Sequence, residues 1–258
     1  MSRDNAEMPF LDHLEELRWR IIWSLVAVAV LSVGGFFVVT ELGVLELLQQ
    51  PLRDSLQSDQ LYYTNPTTPI MVSLKLGLVV GIVLSLPLIA WHAWAFLSPA
   101  LYPQERKLVV PTIAAGFALF LCGIAMAYLL VLPLGLKFLL NFQAQTLSPI
   151  ITIDEYLRFA TRLILAFGIV FEMPLIMLLL GYLGLVTPES LRKSWRYAVV
   201  GIAIVSAMLT PADIGTMVMM MVPMLLLYET SIWLVKLVVR RRKRADVPSV
   251  PTSEGHAA

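Results

Sequence analysis

Six long apolar runs separated by polar gaps dominate this chain of 258 residues. About twenty apolar residues are enough for a helix to cross the hydrocarbon core of a bilayer. A backbone inside lipid must satisfy its own hydrogen bonds, which favours helices for apolar runs of this length. We therefore predict an all-α integral membrane protein with six transmembrane helices, which cover approximately Ile21–Thr40, Ile70–Leu97, Leu108–Leu140, Leu157–Leu185, Tyr197–Thr210 and Ile214–Val239.

The basic residues concentrate in every second gap, and this asymmetry predicts the orientation. When the N-terminus, the second and fourth gaps and the C-terminal tail are assigned to one side, that side carries fourteen of the 19 Lys and Arg residues. Basic residues mark the cytosolic side of a membrane protein. Both termini are therefore expected in the cytosol.

The composition excludes a soluble domain of this length. Hydrophobic residues make up 58% of the chain, charged residues only 14%, and the mean hydropathy is +0.78. The first twenty residues are polar and acidic, so we expect no cleaved signal peptide, and the first run should remain as an anchor. We expect one membrane domain over residues 1–240 and a tail over residues 241–258 that is first basic and then disordered.

Two segments differ from an ordinary transmembrane helix. The first external gap, which contains Pro51, has leucines at helical spacing and predicts an amphipathic helix that caps the outer face. The fifth run has fourteen residues, about 21 Å of helix, which is short for a bilayer. It either thins the bilayer locally or begins nearer Leu191, with the side chain of Arg196 extending to the interface.

The chain carries no enzyme signature. It lacks a phosphate-binding Gly-Lys-Ser/Thr loop, a paired-His zinc motif and a Cys-x-x-Cys motif, and its three histidines lie in separate segments. Its single cysteine excludes an intrachain disulfide. We expect no catalysis, and neither a metal, a cofactor nor nucleic acid as a ligand.

Acidic residues stand at two places on the predicted cytosolic side. On a helix before the first run, Glu16 and Arg20 are i,i+4 partners, although such charges can also be merely solvated at the membrane surface. Glu105 lies in the second gap, a loop stiffened by two prolines. It either faces Glu16 or pairs with the adjacent Arg106 or Lys107.

Glu172 is the acid nearest the middle of a run. A charged carboxylate at bilayer depth costs a few kcal/mol or more, so it must be protonated, hydrated or bound to a partner. Pro174 frees the carbonyl of Val170, and a bend there can admit water. Glu172 either forms a functional polar site or makes an interhelical hydrogen bond that stabilises the bundle. At the outer turn, Asp213 is predicted to cap the helix of the sixth run.

Four motifs occur in an order and spacing that resemble the TatC family, the signal-receptor subunit of the twin-arginine protein translocase. The resemblance runs from about Leu11 to Val235, and its motifs are His-Leu-Glu-Glu-Leu-Arg before the first run, Trp94 to Tyr102 with Glu105-Arg106-Lys107, Phe171-Glu172-Met173-Pro174, and Leu209-Thr210-Pro211-Ala212-Asp213.

The resemblance implies a cupped, concave bundle in a bacterial-type inner membrane. It implies a receptor that exports folded proteins with the proton-motive force. The implied partners are twin-arginine signal peptides, single-span TatA- and TatB-type proteins, other copies of itself and membrane lipid.

The resemblance also implies roles for individual residues. Glu16 and Glu105 match the acids that contact the arginine pair, and Phe96 matches a loop aromatic tied to signal recognition. Glu15 departs from the family pattern, which leaves open which of Glu15 and Glu16 makes the principal contact. Three further positions match the intramembrane acid and two marked outer-face positions: Glu172, Pro51 and Asp213.

The physical chemistry of arginine agrees with this assignment. A guanidinium is a planar fork that matches a carboxylate, whereas an ammonium is a point charge. Two acids on separate elements can therefore test for two adjacent arginines. The alternatives are an ion-coupled solute carrier that uses Glu172 as a proton relay, and a scaffold whose acids only stabilise it.

Overall fold

The computed structural model describes residues 4–56, 61–97, 109–141, 150–182, 184–210 and 214–245. Within these ranges the chain is almost entirely helical. The helices are α1 (Asp4–Glu41), α2 (Val44–Leu56), α3 (Thr68–Leu97), α4 (Val109–Met126), α5 (Leu132–Asn141), α6 (Ile153–Phe171), α7 (Met173–Tyr182), α8 (Pro188–Lys193), α9 (Trp195–Leu209) and α10 (Ile214–Ala245).

Five helical stretches of the described chain are long and apolar enough to cross a membrane, and α9 is a shorter apolar helix. These six correspond to the six predicted runs. The helix of the fifth run begins at Trp195, because the chain turns at Ser194 and Leu191 belongs to the separate helix α8. The alternative start near Leu191 is therefore wrong, and the fifth run is short. The five long stretches are Asp12–Glu41, Thr68–Phe96, Val109–Asn141, Ile153–Tyr182 and Ile214–Val239.

Two of the long runs are interrupted. The third contains a π-helical turn, Ala127–Val131, between α4 and α5. The fourth bends at Glu172, whose backbone N–H donates to the carbonyl of Ile169 at 3.1 Å. The interruption between α6 and α7 lies where Pro174 was expected to disturb the helix, because proline has no N–H to donate to the carbonyl of Val170.

Helices α1 and α3 pack so closely that glycine is required between them. A Cβ added at Gly81 would lie 2.5 Å from the backbone of Ser32, and one added at Gly77 would lie 2.9 Å from Cα of Phe36. Lipid gives no hydrophobic drive for helix association, so close backbone approach and dispersion contacts hold such pairs. The N-terminal part of α1 and the C-terminal part of α3 are consequently held side by side.

The remaining long helices enclose the buried core. Helix α4 packs on α6, and α10 packs on both α7 and α9. Many apolar side chains instead face outward, as Leu129 does at 70% exposure, and this pattern suits a surface that meets lipid. The largest fully buried side chains of the interior include Phe120, Leu132, Leu163, Phe167, Met220, Met224 and Ile232.

Candidate functional site

Glu16 lies on α1, just before its apolar part, and both of its carboxylate oxygens are engaged. Arg20 donates through Nε to Oε1 at 2.9 Å, and its terminal nitrogen contacts the same oxygen. Nδ1 of His13 lies 3.6 Å from Oε2. The predicted i,i+4 pair of Glu16 and Arg20 is thus confirmed, and the carboxylate remains partly accessible, with 36% of its side chain exposed.

A ring stack joins this segment of α1 to the end of α3. The rings of His13 and Phe96 lie 4.2 Å apart between centroids and are tilted by only 8°. Phe96 lies in the last turn of α3, which ends at Leu97, and not in the following loop, where the resemblance had placed it. The apolar run likewise continues to Leu97, the last residue of α3 that the structure describes.

An apolar groove adjoins this cluster. It has a volume of about 390 Å³ and lies between α1 and α3, with Leu17, Ser24, Ile89 and Phe96 among its walls. Arg20 and His92 also line it. The arrangement can hold a cationic group at Glu16 and an apolar segment beside it.

Two of the sequence-predicted residues, Glu105 and Asp213, lie outside the described residues. Glu15 lies on α1 beside Glu16 and is exposed. Of the predicted recognition residues, the structure therefore brings together Glu16 and Phe96, through His13, a residue that the sequence did not single out for this role.

Glu172 borders a second cavity, between α3, α4 and α7, which shares Ile89 and Ala93 with the groove. Its Oε1 is buried and has no hydrogen-bond partner in the described part of the chain. A Cβ added at Gly116 would lie 3.1 Å from Oε2, so a glycine on α4 makes room for the carboxyl group. The cavity has a volume of about 360 Å³, and Trp94, Thr112 and Phe117 are among its walls. A buried carboxylate oxygen without a hydrogen-bond partner is a site at which a donor can bind favourably.

On the opposite face, Pro51 lies buried within α2. Proline has no N–H, so the carbonyl four residues earlier, that of Leu47, loses its helical donor. The hydroxyl of Tyr128 donates to that carbonyl at 2.7 Å, and the hydroxyl of Tyr156 donates to the next one, that of Leu48. Pro51 thus frees one carbonyl of α2 for Tyr128, and the neighbouring carbonyl of Leu48 is a second acceptor, for Tyr156.

Ion pairs also join the N-terminal parts of α3 and α6, and sequence reasoning missed them. Asp154 accepts from Lys75 at 2.7 Å and from Arg158 at 2.6 Å. The Arg158 pair has i,i+4 spacing and was visible in the sequence, whereas Lys75 is 79 residues away and gave no signal. In the described residues, no group of three or more His, Cys, Asp or Glu side chains converges to hold a metal ion.

This chain is similar to known proteins along most of its length. The family described as "TatC: Sec-independent protein translocase protein (TatC)" matches residues 12–223. The TatC protein of Aquifex aeolicus (strain VF5) is 38% identical over 92% of this chain and 98% of its own length. The TatC protein of Escherichia coli (strain K12) is 34% identical over 95% of each chain.

A solved structure has the same fold. The crystal structure of the twin-arginine translocase receptor TatC superposes with a TM-score of 0.80 at 38% identity and covers 88% of this chain and 100% of the solved one. The family match spans most of the chain, and the relatives are matched over nearly their whole length. This chain belongs to the TatC family of Sec-independent protein translocase proteins.

Proposed function

We propose that this chain is the signal-peptide receptor and core subunit of a twin-arginine translocase, which exports folded proteins with the proton-motive force. The observation that carries the proposal is the cluster of Glu16, His13 and Phe96 at the mouth of an apolar groove. A twin-arginine signal peptide combines guanidinium groups with an apolar segment. The cluster and the groove offer a site for each.

The carboxylate of Glu16 supplies recognition, and the groove supplies affinity. An exposed ion pair contributes only about 0.2–1 kcal/mol, so charge alone cannot hold a peptide. Burial of apolar area contributes roughly 25 cal/mol per Å², and the groove walls are almost entirely apolar. The arginines therefore decide which peptide binds, and the apolar segment decides how tightly it binds.

Glu105 provides the second acid in this proposal. It lies eight residues after the end of α3 and four before the start of α4. Four residues span at most about 14 Å, which keeps Glu105 near the cytosolic ends of these helices. Glu15, exposed beside Glu16, is available as an auxiliary acid.

The proposed topology has six membrane crossings with both termini in the cytosol of a bacterial cell, through its inner membrane. The five long apolar stretches and the shorter helix α9 support the number, and the fourteen basic residues of one side support the orientation. Residues 1–240 form the receptor domain, which is a cupped bundle, and residues 241–258 form the cytosolic tail.

In this proposal, Glu172 contacts the signal peptide or a partner helix. Its unpaired oxygen and the cavity beside it accept a polar group from a signal peptide or from a single-span helix of TatA or TatB type. Other copies of this chain complete the assembly. Pro51 and Asp213 act on the outer face, where Pro51 keeps α2 against the bundle.

The test replaces Glu16 and Glu105 separately with Gln and measures photocrosslinking to a twin-arginine peptide. We expect each variant to lose most of the crosslink, and a twin-lysine peptide to crosslink weakly to the parent chain. Glu189→Gln is the matched control, because Glu189 is an exposed acid in α8 on the same proposed side. Unchanged crosslinking in both acid variants would refute the recognition proposal.

The carrier alternative has no support in the comparisons, since the matched family and relatives are protein translocase proteins. Solute flux through the purified chain alone in vesicles, abolished by Glu172→Gln, would be required to revive it. A pure scaffold would bind no signal peptide, and the same crosslinking experiment separates it from a receptor.

A further inference from the structure

A basic notch lies at the end of α9 that is opposite its turn into α10. Its walls are Arg192, Lys193, Trp195, Arg196, Tyr197 and Glu229, and it encloses about 950 Å³. Three cationic side chains face one carboxylate there, which leaves an excess of two positive charges. None of these residues belongs to the recognition cluster or to the cavity of Glu172.

Helix α10 fixes the position of the notch. The guanidinium of Arg192 donates to Glu229 at 3.1 Å, and the buried hydroxyl of Tyr228 donates to the carbonyl of Leu191 at 2.8 Å. Both bonds hold α8 against α10. In the described part of the chain, Lys193 and Arg196 form no ion pair and are exposed. Lys193 and Arg196 therefore carry positive charges without an ionic partner, next to a helix that is held in place by hydrogen bonds.

At the depth of the notch, these positive charges raise the free energy of the protein unless an anion binds to them. Glu229 precedes the end of the apolar stretch of α10, at Val239, by ten residues, or about 15 Å along the helix axis. The Arg192–Glu229 contact therefore lies beside apolar helix and not beyond it. A helix as short as α9, with 15 residues, favours local thinning of the bilayer, which brings the surface toward the notch. Basic groups at such a depth are stabilised by water and by lipid headgroups.

The structure points to a binding site for the phosphodiester headgroup of an anionic phospholipid in this notch. The phosphate accepts from Lys193 and Arg196, and Trp195 and Tyr197 are the aromatic residues typical of the membrane interface. An acyl chain can follow the exposed stripe of Tyr197, Val200 and Ile204, which share one face of α9 and leave from the notch. This stripe favours a lipid over free phosphate, which has no apolar part.

Native mass spectrometry of the full chain in neutral detergent tests this site. The probes are phosphatidylglycerol and phosphatidylcholine with the same acyl chains, and inorganic phosphate is added as a competitor. The parent chain should retain phosphatidylglycerol in preference by about tenfold or more, because each basic residue near an anionic lipid strengthens binding severalfold. Phosphate at the same concentration should not displace the lipid.

The variant Lys193→Gln with Arg196→Gln should lose this preference. Its matched control is Arg18→Gln with Lys236→Gln, which removes two exposed charges from the same proposed side and should keep the preference. If the double variant does not fold, the single variants should each reduce the preference by about threefold. The proposal would be overturned if the notch variant and the control variant kept the same preference. It would also be overturned if the parent chain retained both lipids equally, or if inorganic phosphate displaced the lipid. The site does not rest on signal recognition, so either can fail alone.

Discussion

At the scale of single residues, Arg20 matters because it already occupies the carboxylate that a signal arginine is proposed to contact. An incoming guanidinium must displace it. An i,i+4 ion pair on a helix contributes about 0.3–0.5 kcal/mol, so Arg20→Gln should tighten binding of a twin-arginine peptide by about twofold. Fluorescence anisotropy of a labelled peptide measures this change.

Arg18→Gln is the control for Arg20. Arg18 is exposed on the same helix, and its replacement removes the same charge while it leaves the Glu16 carboxylate paired. At an ionic strength of about 0.3 M, long-range attraction is largely screened. Equal gains in the two variants would mean that Arg20 acts only through net charge.

Pro51 and Tyr128 allow a second residue-scale prediction. The Tyr128 hydroxyl serves the carbonyl of Leu47 that Pro51 leaves without a helical donor. Tyr128→Phe should lower the free energy of unfolding by about 1 kcal/mol. The loss should be smaller in a Pro51→Ala background, because alanine restores an N–H to that carbonyl. Thermal unfolding in detergent measures both costs, and the same loss in both backgrounds would contradict this role of Pro51.

At the scale of elements, the packing of α1 on α3 decides whether the recognition cluster exists, because His13 lies on one helix and Phe96 on the other. Gly81→Val places methyl groups where the backbone of Ser32 lies 2.5 Å from a Cβ. Overpacking of this kind costs about 1–3 kcal/mol. The variant should unfold at lower temperature and should bind the signal peptide more weakly.

Gly34→Val is the matched control for Gly81. A Cβ at Gly34 meets nothing within 4 Å, and the residue is exposed on the same pair of helices. This variant should keep both its stability and its peptide affinity. If the two valine variants lost the same stability and the same peptide affinity, close approach of α1 and α3 would not be the cause of the losses.

The elements themselves were largely predictable from the sequence. Apolar length predicted the helices that can cross a membrane, and Pro174 predicted the bend at Glu172, because both signals are local. The amphipathic pattern likewise predicted α2. The start of α9 was left open, since Arg196 fits either a helix end or an interfacial side chain.

Contacts between distant parts of the chain were not predictable. The stack of His13 on Phe96 and the bond from Tyr156 to Leu48 join residues far apart in sequence, and no local pattern encodes them. One signal was present and unused. Gly77 and Gly81 have the spacing of small residues that bring transmembrane helices together, and they lie where α1 meets α3.

At the scale of the whole molecule, the proposed orientation can be tested by cysteine labelling. In a Cys122→Ser background, Thr64→Cys lies in the exposed segment before α3, and Ser190→Cys lies in the exposed helix α8. An impermeant maleimide should label Thr64→Cys in intact cells and Ser190→Cys only after lysis. The reverse pattern would invert the proposed topology.

The whole account depends on a direct contact between Glu16 and a guanidinium of the signal peptide, and a double-mutant cycle measures that contact. The affinities of twin-arginine and twin-lysine peptides are determined for the parent chain and for Glu16→Gln. Replacement of the arginines should weaken binding by about five- to tenfold in the parent and by less than about twofold in Glu16→Gln, since the fork-shaped partner is then absent. If the full penalty persisted in Glu16→Gln, the arginines would be recognised elsewhere, and the central claim would be wrong.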